Sequence, residues 1–195
     1  MVTKMGKRFF FKTFIKNPSS IGAVYPTSSV LSGELTSKIG LSKAATVVEL
    51  GPGTGAITPH IVKKLHSNAR FLAIERDKGF YEYLKEKYPT IDVHHEDAVN
   101  LDKILKKNNI KSADAIISAL PWTTLPESVQ DNLLNAVKEN LSEDGYFTTI
   151  AYITGVFTKS GKKFKKKLQE NFSEFSVSRL RFRNIPPAFV YRCKK

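Results

Sequence analysis

The stretch Val47–Thr58, VVELGPGTGAIT, runs an apolar segment into Glu49 and then sets glycines at Gly51, Gly53 and Gly55. Glycines at a strand-to-helix turn accept positive φ and let a ligand come close to the backbone. A dinucleotide fingerprint delays its third glycine by one position, as G-x-G-x-x-G, to seat a pyrophosphate. Here the spacing is G-x-G-x-G, with a carboxylate two residues ahead of the first glycine. That carboxylate repels a phosphate and suits a cationic amino-acid group. Two further acids follow. Glu75 closes the apolar run RFLAIE, 20 residues past Gly55, where an acid accepts hydrogen bonds from both ribose hydroxyls. Asp97, within His95-Glu96-Asp97-Ala98, follows the next apolar run, where it can accept from an adenine amine. Taken singly, these are a tight turn, a surface acid beside Arg76 and a helix cap. Taken together, they suit a ligand with an ammonium, a ribose and an adenine but no phosphate, which fits S-adenosylmethionine.

The elements that must hold these residues alternate. Ala45–Leu50, Arg70–Glu75, Ile91–His94, Ala113–Ser118 and Tyr146–Tyr152 are short runs rich in β-branched or aromatic residues and read as buried strands. Between them, Pro59–His66, Lys78–Tyr88 and Pro126–Asn140 carry apolar residues at helical spacing. Strands alternating with helices predict a parallel sheet covered on both faces. After Tyr152 a basic helix, about Ser160–Gln169, precedes two strands, Phe175–Arg183 and Ala188–Cys193. Their short connection, Asn184-Ile185-Pro186-Pro187, predicts an antiparallel pair. With no repeat and no linker in view, the 195 residues read as one domain: a basic N-terminal helix, loop and further helix over 1–40, then a sheet core over 45–195.

The formal charge is +13, and it is segregated. Lys4, Lys7, Arg8, Lys12 and Lys16 face no acid within residues 1–20, and residues 155–195 hold only Glu170 and Glu174 against their many basic groups. A near-neutral body with two basic ends fits a polyanionic partner, either nucleic acid or an anionic membrane. On a helix, Arg8, Lys12 and Lys16 stack beside a stripe of Phe10, Phe14, Phe11 and Ile15. Such a helix suits the interface of an anionic leaflet, where five basic groups supply up to roughly 5 kcal/mol before ordering costs. It also suits a lid packed on the domain. The run Lys159–Lys167 serves a membrane or RNA phosphates equally. The lone Cys193 excludes an internal disulfide. No carboxylate–histidine spacing suggests a metal. No signal peptide or spanning stretch is apparent, so the expected location is the cytoplasm, at the inner face of the membrane.

Val47–Thr58, Glu75 and Asp97 resemble the cofactor motifs of class I S-adenosylmethionine-dependent methyltransferases. The resemblance implies a Rossmann-like α/β fold, with a seven-stranded, mostly parallel sheet whose last strand is reversed. It also implies cofactor contacts at Glu49, Gly51, Gly53, Gly55, Glu75, Asp97, Ala98 and Ser118. Two subfamilies share the finer pattern: bacterial phospholipid N-methyltransferases, which act on phosphatidylethanolamine, and ribosomal RNA adenine dimethyltransferases. The adenine enzymes place Asn-Leu-Pro-Tyr or Asn-Leu-Pro-Phe after the fourth strand, the Asn accepting from the target amine and the aromatic stacking on a flipped base. Here the tetrad is Ala119-Leu120-Pro121-Trp122, which keeps an aromatic able to stack but loses the acceptor.

The lipid enzymes are matched at several places. Ser118-Ala119-Leu120-Pro121 with Leu125-Pro126 is similar to their S-x-L-P…L-P stretch. Asn17-Pro18 through Gly22–Ser29 resembles their N-terminal loop, with Tyr25 and Thr27 as departures. Arg183–Ala188 resembles their R-N-L-P-P-A. The resemblance therefore implies an aminophospholipid acceptor at an anionic membrane, with RNA as the alternative substrate. A basic binding module that merely retains the fold is a third reading. Tyr25 and Tyr152 take positioning roles, because a phenol of pKa near 10 is a poor base at neutral pH. Arg183 is expected to hold the lipid phosphate through its planar donor fork.

Overall fold

The computed structural model describes residues 27–182, 184 and 186–195. Tyr25, Arg183 and the basic segment ahead of residue 27 lie outside them. The elements in chain order are α1 (Ser29–Leu35), β1 (Thr46–Leu50), α2 (Thr58–Val62), β2 (Arg70–Glu75), α3 (Lys78–Lys87) and β3 (Asp92–His95). There follow α4 (Leu101–Lys107), β4 (Ala113–Ser118), α5 (Glu127–Asn140), β5 (Leu141–Tyr152), α6 (Ile153–Val156), α7 (Lys159–Asn171), β6 (Glu174–Val177) and β7 (Ala188–Lys194). Short 3-10 turns occupy Ala98–Asn100 and Trp122–Thr124.

The sheet has seven strands in the order β3-β2-β1-β4-β5-β7-β6. The first five are mutually parallel, and β7 runs against both of its neighbours. The chain steps outward from β1 to β3, then returns to β4 on the other side of β1. The crevice at that reversal, at the carboxyl ends of the strands, is where open α/β sheets bind ligands.

Strand periodicity divides the core between two faces. Val48, Leu50, Leu72, Ile74, Ile116 and Phe147 point to a layer holding Leu133, Val137, Phe164 and Leu168 from α5 and α7. Val47, Ala115, Ile117, Ile150 and Val190 point the other way, onto Leu31 and Leu35 of α1 and Ile57 and Ile61 around α2. Side chains cap several helices. Ser28 Oγ accepts from Leu31 N, Asp77 Oδ1 from Phe80 N, and Thr158 Oγ1 from Gly161 N.

Three elements depart from the periodicity reading. The helix expected over 59–66 ends at Val62, because Lys64 N and Leu65 N bond back to Ile61 and Val62 and tighten the chain into turns. The strand expected to reach Arg183 stops at Val177. There the Ser178 side chain accepts from Val190 N, replacing a backbone carbonyl in the ladder, and beyond it only an isolated Arg181–Ala188 bridge remains. The fifth strand is longer than expected, beginning directly at Leu141 and passing a register irregularity against β4. Helix α4, where Leu101, Ile104 and Leu105 are buried at helical spacing, is an element beyond those expected.

Candidate active site

The three acids stand at neighbouring strand ends, because β1, β2 and β3 are adjacent in the sheet. Glu49 is fully buried on the same face as Val47. Thr58, at the start of α2, donates its hydroxyl to Glu49 Oε2 at 2.7 Å. Oε1 has no hydrogen-bond partner among the described residues. Burial pushes this carboxyl up to about 8; the Thr58 bond opposes the shift and the nearby Glu75 adds to it. A buried carboxylate oxygen without a partner is costly unless a donor arrives, and a charged donor serves it best. An ammonium group fits that vacancy in the hydrogen-bond network.

Glu75 is nearly buried, at 7% exposure. Its Oε2 accepts from Gly53 N at 3.0 Å and its Oε1 from Asp77 N at 2.8 Å. Burial raises its pKa, and these two backbone bonds counter the rise. The bonds fix the carboxylate in orientation, yet each oxygen keeps a lone pair for a hydroxyl donor.

The glycines of the turn have separate tasks. All three lie at positive φ. A Cβ on Gly51 would sit 2.7 Å from the Leu120 side chain, and one on Gly55 2.7 Å from the Tyr88 ring, so both glycines allow close packing. At Gly53 nothing lies within 4 Å, and its N–H already reaches Glu75. Gly53 thus borders open space where a ligand can approach the backbone. Tyr88 Oη donating to Gly55 O and Lys87 Nζ donating to Thr54 O brace the far side of the turn from α3.

Asp97 caps the 3-10 turn through Val99 N, and its second oxygen accepts a longer 3.4 Å bond from Arg76. Asp97 thus caps the turn with one oxygen and meets Arg76 with the other. Ala98, which follows it, is buried. Ser118, at the end of β4, accepts from Leu120 N and from Trp122 Nε1 at 3.0 Å. Through those bonds it shapes the loop that packs on Gly51. The structure corrects the expectation that Trp122 is free to stack on a base. The indole is 1% exposed, lies flat on Phe164 at a centroid distance of 4.9 Å and meets Phe147 edge-on.

Across the crevice, Tyr152 ends β5 half-buried. Burial raises its phenol, and a hydrogen bond with the Thr27 side chain works the other way. Asn184 is buried; its Oδ1 accepts from Ser28 N at 3.0 Å while its Nδ2 donates to Pro186 O. Glu34 of α1 pairs with Arg181, and also with Arg192 of β7 at 3.6 Å. Thr27 and Ser28 therefore stand beside Tyr152 and Asn184. Sequence reasoning missed the Thr58 partner of Glu49 and the Asn184 tie. Thr58 had a signal, lying within the glycine motif itself. Asn184 lay within the Arg183–Ala188 stretch that resembles the lipid enzymes, but nothing local pointed to Ser28, 156 positions away.

A family model described as ribosomal RNA adenine dimethylase matches residues 6–180. The chain belongs to that family. It is an S-adenosylmethionine-dependent methyltransferase. Its relatives divide between two kinds of acceptor. An ornithine lipid N-methyltransferase from Singulisphaera acidiphila is 32% identical over 188 residues, covering 95% of this chain and 94% of the relative. Ribosomal RNA small subunit methyltransferase A from Ureaplasma urealyticum is 33% identical over 151 residues, covering 69% of this chain and 51% of the relative, about half its length. An O-methyltransferase from Bacillus cereus in complex with SAH shares the fold, with a TM-score of 0.68 at 11% identity, over 95% of this chain and 90% of that one. The match to a lipid methyltransferase is thus to one named for ornithine lipid rather than for phosphatidylethanolamine.

Proposed function

We propose that the methyl acceptor is the primary amine of a membrane amino-lipid. The observation that carries this reading is the burial of Trp122. At the position where adenine methyltransferases present an aromatic to a flipped base, this chain keeps its indole inside the core, with its N–H bound to Ser118. Ala119, beside it, has no amide oxygen to receive an adenine amine. The relative matched along nearly the whole chain, which is named for an amino-lipid, supports the same reading.

In this reading Glu49 holds the ammonium of the cofactor, Glu75 its ribose hydroxyls, and Asp97 and Ala98 its adenine, while Gly51, Gly53 and Gly55 shape the backbone against which it lies. When bound, S-adenosylmethionine supplies an electrophilic methyl to a neutral amine. Ser118 sets the loop that walls the acceptor side. Tyr152, its phenol kept protonated by burial, orients the amine rather than taking its proton. Tyr25 shares that role, and Arg183 binds the anionic group beside the amine: the phosphate of phosphatidylethanolamine or the carboxylate of ornithine. The protein works as a peripheral enzyme, with the basic N-terminal segment drawing it to an anionic leaflet. Among the described residues no helix is long and apolar enough to cross a membrane.

The second reading, methylation of ribosomal RNA adenine, has the family model and the relatives matched over part of their length in its favour. One assay separates the two. Labelled methyl donor is supplied with phosphatidylglycerol vesicles containing phosphatidylethanolamine, with the same vesicles containing ornithine lipid, or with ribosomal RNA. Label in either lipid arm is expected, and the arm that incorporates it names the head group. Label in RNA alone overturns the proposal.

A further inference from the structure

Two phenylalanines stand out from an otherwise well-covered apolar surface. Phe157 is 73% exposed and Phe182 is 74% exposed, while every other large exposed hydrophobic among the described residues is a valine at 46% or less. Both phenylalanines lie at the carboxyl edge of the sheet. Phe157 follows α6, which leaves the end of β5 directly after Tyr152. Phe182 lies in the connection that enters β7 at Ala188, and Ala188 is paired with Tyr152. They therefore sit on the two chain segments that meet the end of β5, where the acceptor must enter.

The backbone beside each ring is anchored. Gly155 packs so closely on Thr123, and Gly161 on the Gly155 carbonyl, that a Cβ at either position would clash, which locks α6 against the start of α7. Beside Phe182, Arg181 is held by its backbone bonds to Ala188 and by its guanidinium contact with Glu34. The rings are thus presented outward from fixed bases.

The charges around them match an anionic surface. Lys159 and Lys162, in the first turn of α7 and next to Phe157, have no acidic partner among the described residues. By contrast, Lys163, Lys166 and Lys167 on the same helix pair with Glu127, Glu170 and Asp131. Arg179, three residues before Phe182, is exposed. Exposed aromatic rings with basic residues within a few positions along the chain are the composition of an interfacial anchor, apolar tips entering the acyl boundary while the cations meet head groups.

We infer that Phe157 and Phe182 form a two-point wedge that inserts into an anionic leaflet and sets the acceptor crevice against the lipid surface. This inference rests on the amino-lipid reading, and its test is kept separate from that reading. Wild type, Phe157→Ser, Phe182→Ser and the double variant are compared for partitioning onto vesicles of equal parts phosphatidylglycerol and phosphatidylethanolamine, for binding to ribosomal RNA, and for methylation of a short-chain amino-lipid dissolved as monomer. Each single variant is expected to lower vesicle partitioning about tenfold, equivalent to about 1.4 kcal/mol, with turnover of the dissolved lipid unchanged. Phe157→Trp and Phe182→Trp, which need no loss of apolar surface, are expected to shift their emission to shorter wavelength when vesicles are added. Unchanged partitioning with unmoved tryptophan emission overturns the wedge, as does a loss confined to RNA binding. Failure of the lipid reading shows elsewhere, as a wild-type enzyme that methylates no amino-lipid in either form.

Discussion

The two sides of the crevice, one proposed to hold the cofactor and the other the acceptor, are built differently. On the cofactor side, Glu49, the glycine turn, Glu75 and Asp97 come from one uninterrupted stretch. Their contacts span few positions: Thr58 to Glu49 is nine residues and Gly53 to Glu75 is 22. On the acceptor side, Thr27 and Ser28 meet Tyr152 and Asn184 across much of the chain, and Glu34 reaches Arg181 over 147 positions. The cofactor side is set by a local motif, whereas the acceptor side is stitched together by tertiary contacts. If each side holds the ligand proposed for it, the acceptor can change without disturbing the methyl donor.

The sharpest way to break that division is Glu75→Ala. Its carboxylate orders the Gly53 backbone and, in the proposed site, accepts from the ribose. Charge-assisted bonds contribute about 1.5–3 kcal/mol each, so calorimetry should show cofactor affinity falling by about a hundredfold or more. Affinity within a few fold of wild type would mean that the ribose lies elsewhere.

A smaller effect sharpens the comparison through pH. With the Glu49 carboxyl raised to about 8 in the unliganded fold, an incoming ammonium must first displace a proton at neutral pH. Cofactor affinity should therefore rise by about tenfold between pH 6 and pH 7, where the incoming amine is still an ammonium, and Glu49→Gln should flatten that rise. Stability runs the opposite way. Because the folded carboxyl titrates above its ordinary value of 4.5, folding takes up a proton between that value and about 8. The unliganded protein should thus lose stability as pH rises through this window and level off above it. A melting temperature independent of pH across the window would count against a buried, proton-holding Glu49.

The smallest expected change tests the acceptor side alone. Asn184→Ala removes the acceptor of Ser28 N and the donor to Pro186 O, at a cost of about 1–3 kcal/mol in stability. We expect KM for the lipid to rise about fivefold with cofactor affinity unchanged. If cofactor affinity falls in step, the two sides are one unit and the comparison fails.

The same contrast explains what could be read from the sequence. The alternation of strands and helices was legible, because buried runs and amphipathic spacing are local signals, whereas the reversed seventh strand was expected only from the family resemblance. The placement of Glu49, Glu75 and Asp97 at three successive strand ends was legible too. What escaped depended on distance or on side-chain fate. Ser178 ends a strand by substituting its hydroxyl for a carbonyl, which no periodicity encodes. Trp122 looks like an available aromatic in its tetrad, and only the packing of Phe164 and Phe147 decides that it is buried. Asn184 sits in a stretch that resembles a plain turn until Ser28 is brought beside it.

The insertion of β7 between β5 and β6 constrains how the protein is made. As the ribosome releases β6, that strand has no neighbour to join, since its sole pairing in the described sheet is to a segment not yet translated. Through the same interval the long β5 presents a bare row of amide and carbonyl groups to solvent, the kind of edge that recruits other chains. Protection of nascent β5 by a chaperone should thus matter more for this polypeptide than for one whose strands join the sheet in the order of their synthesis.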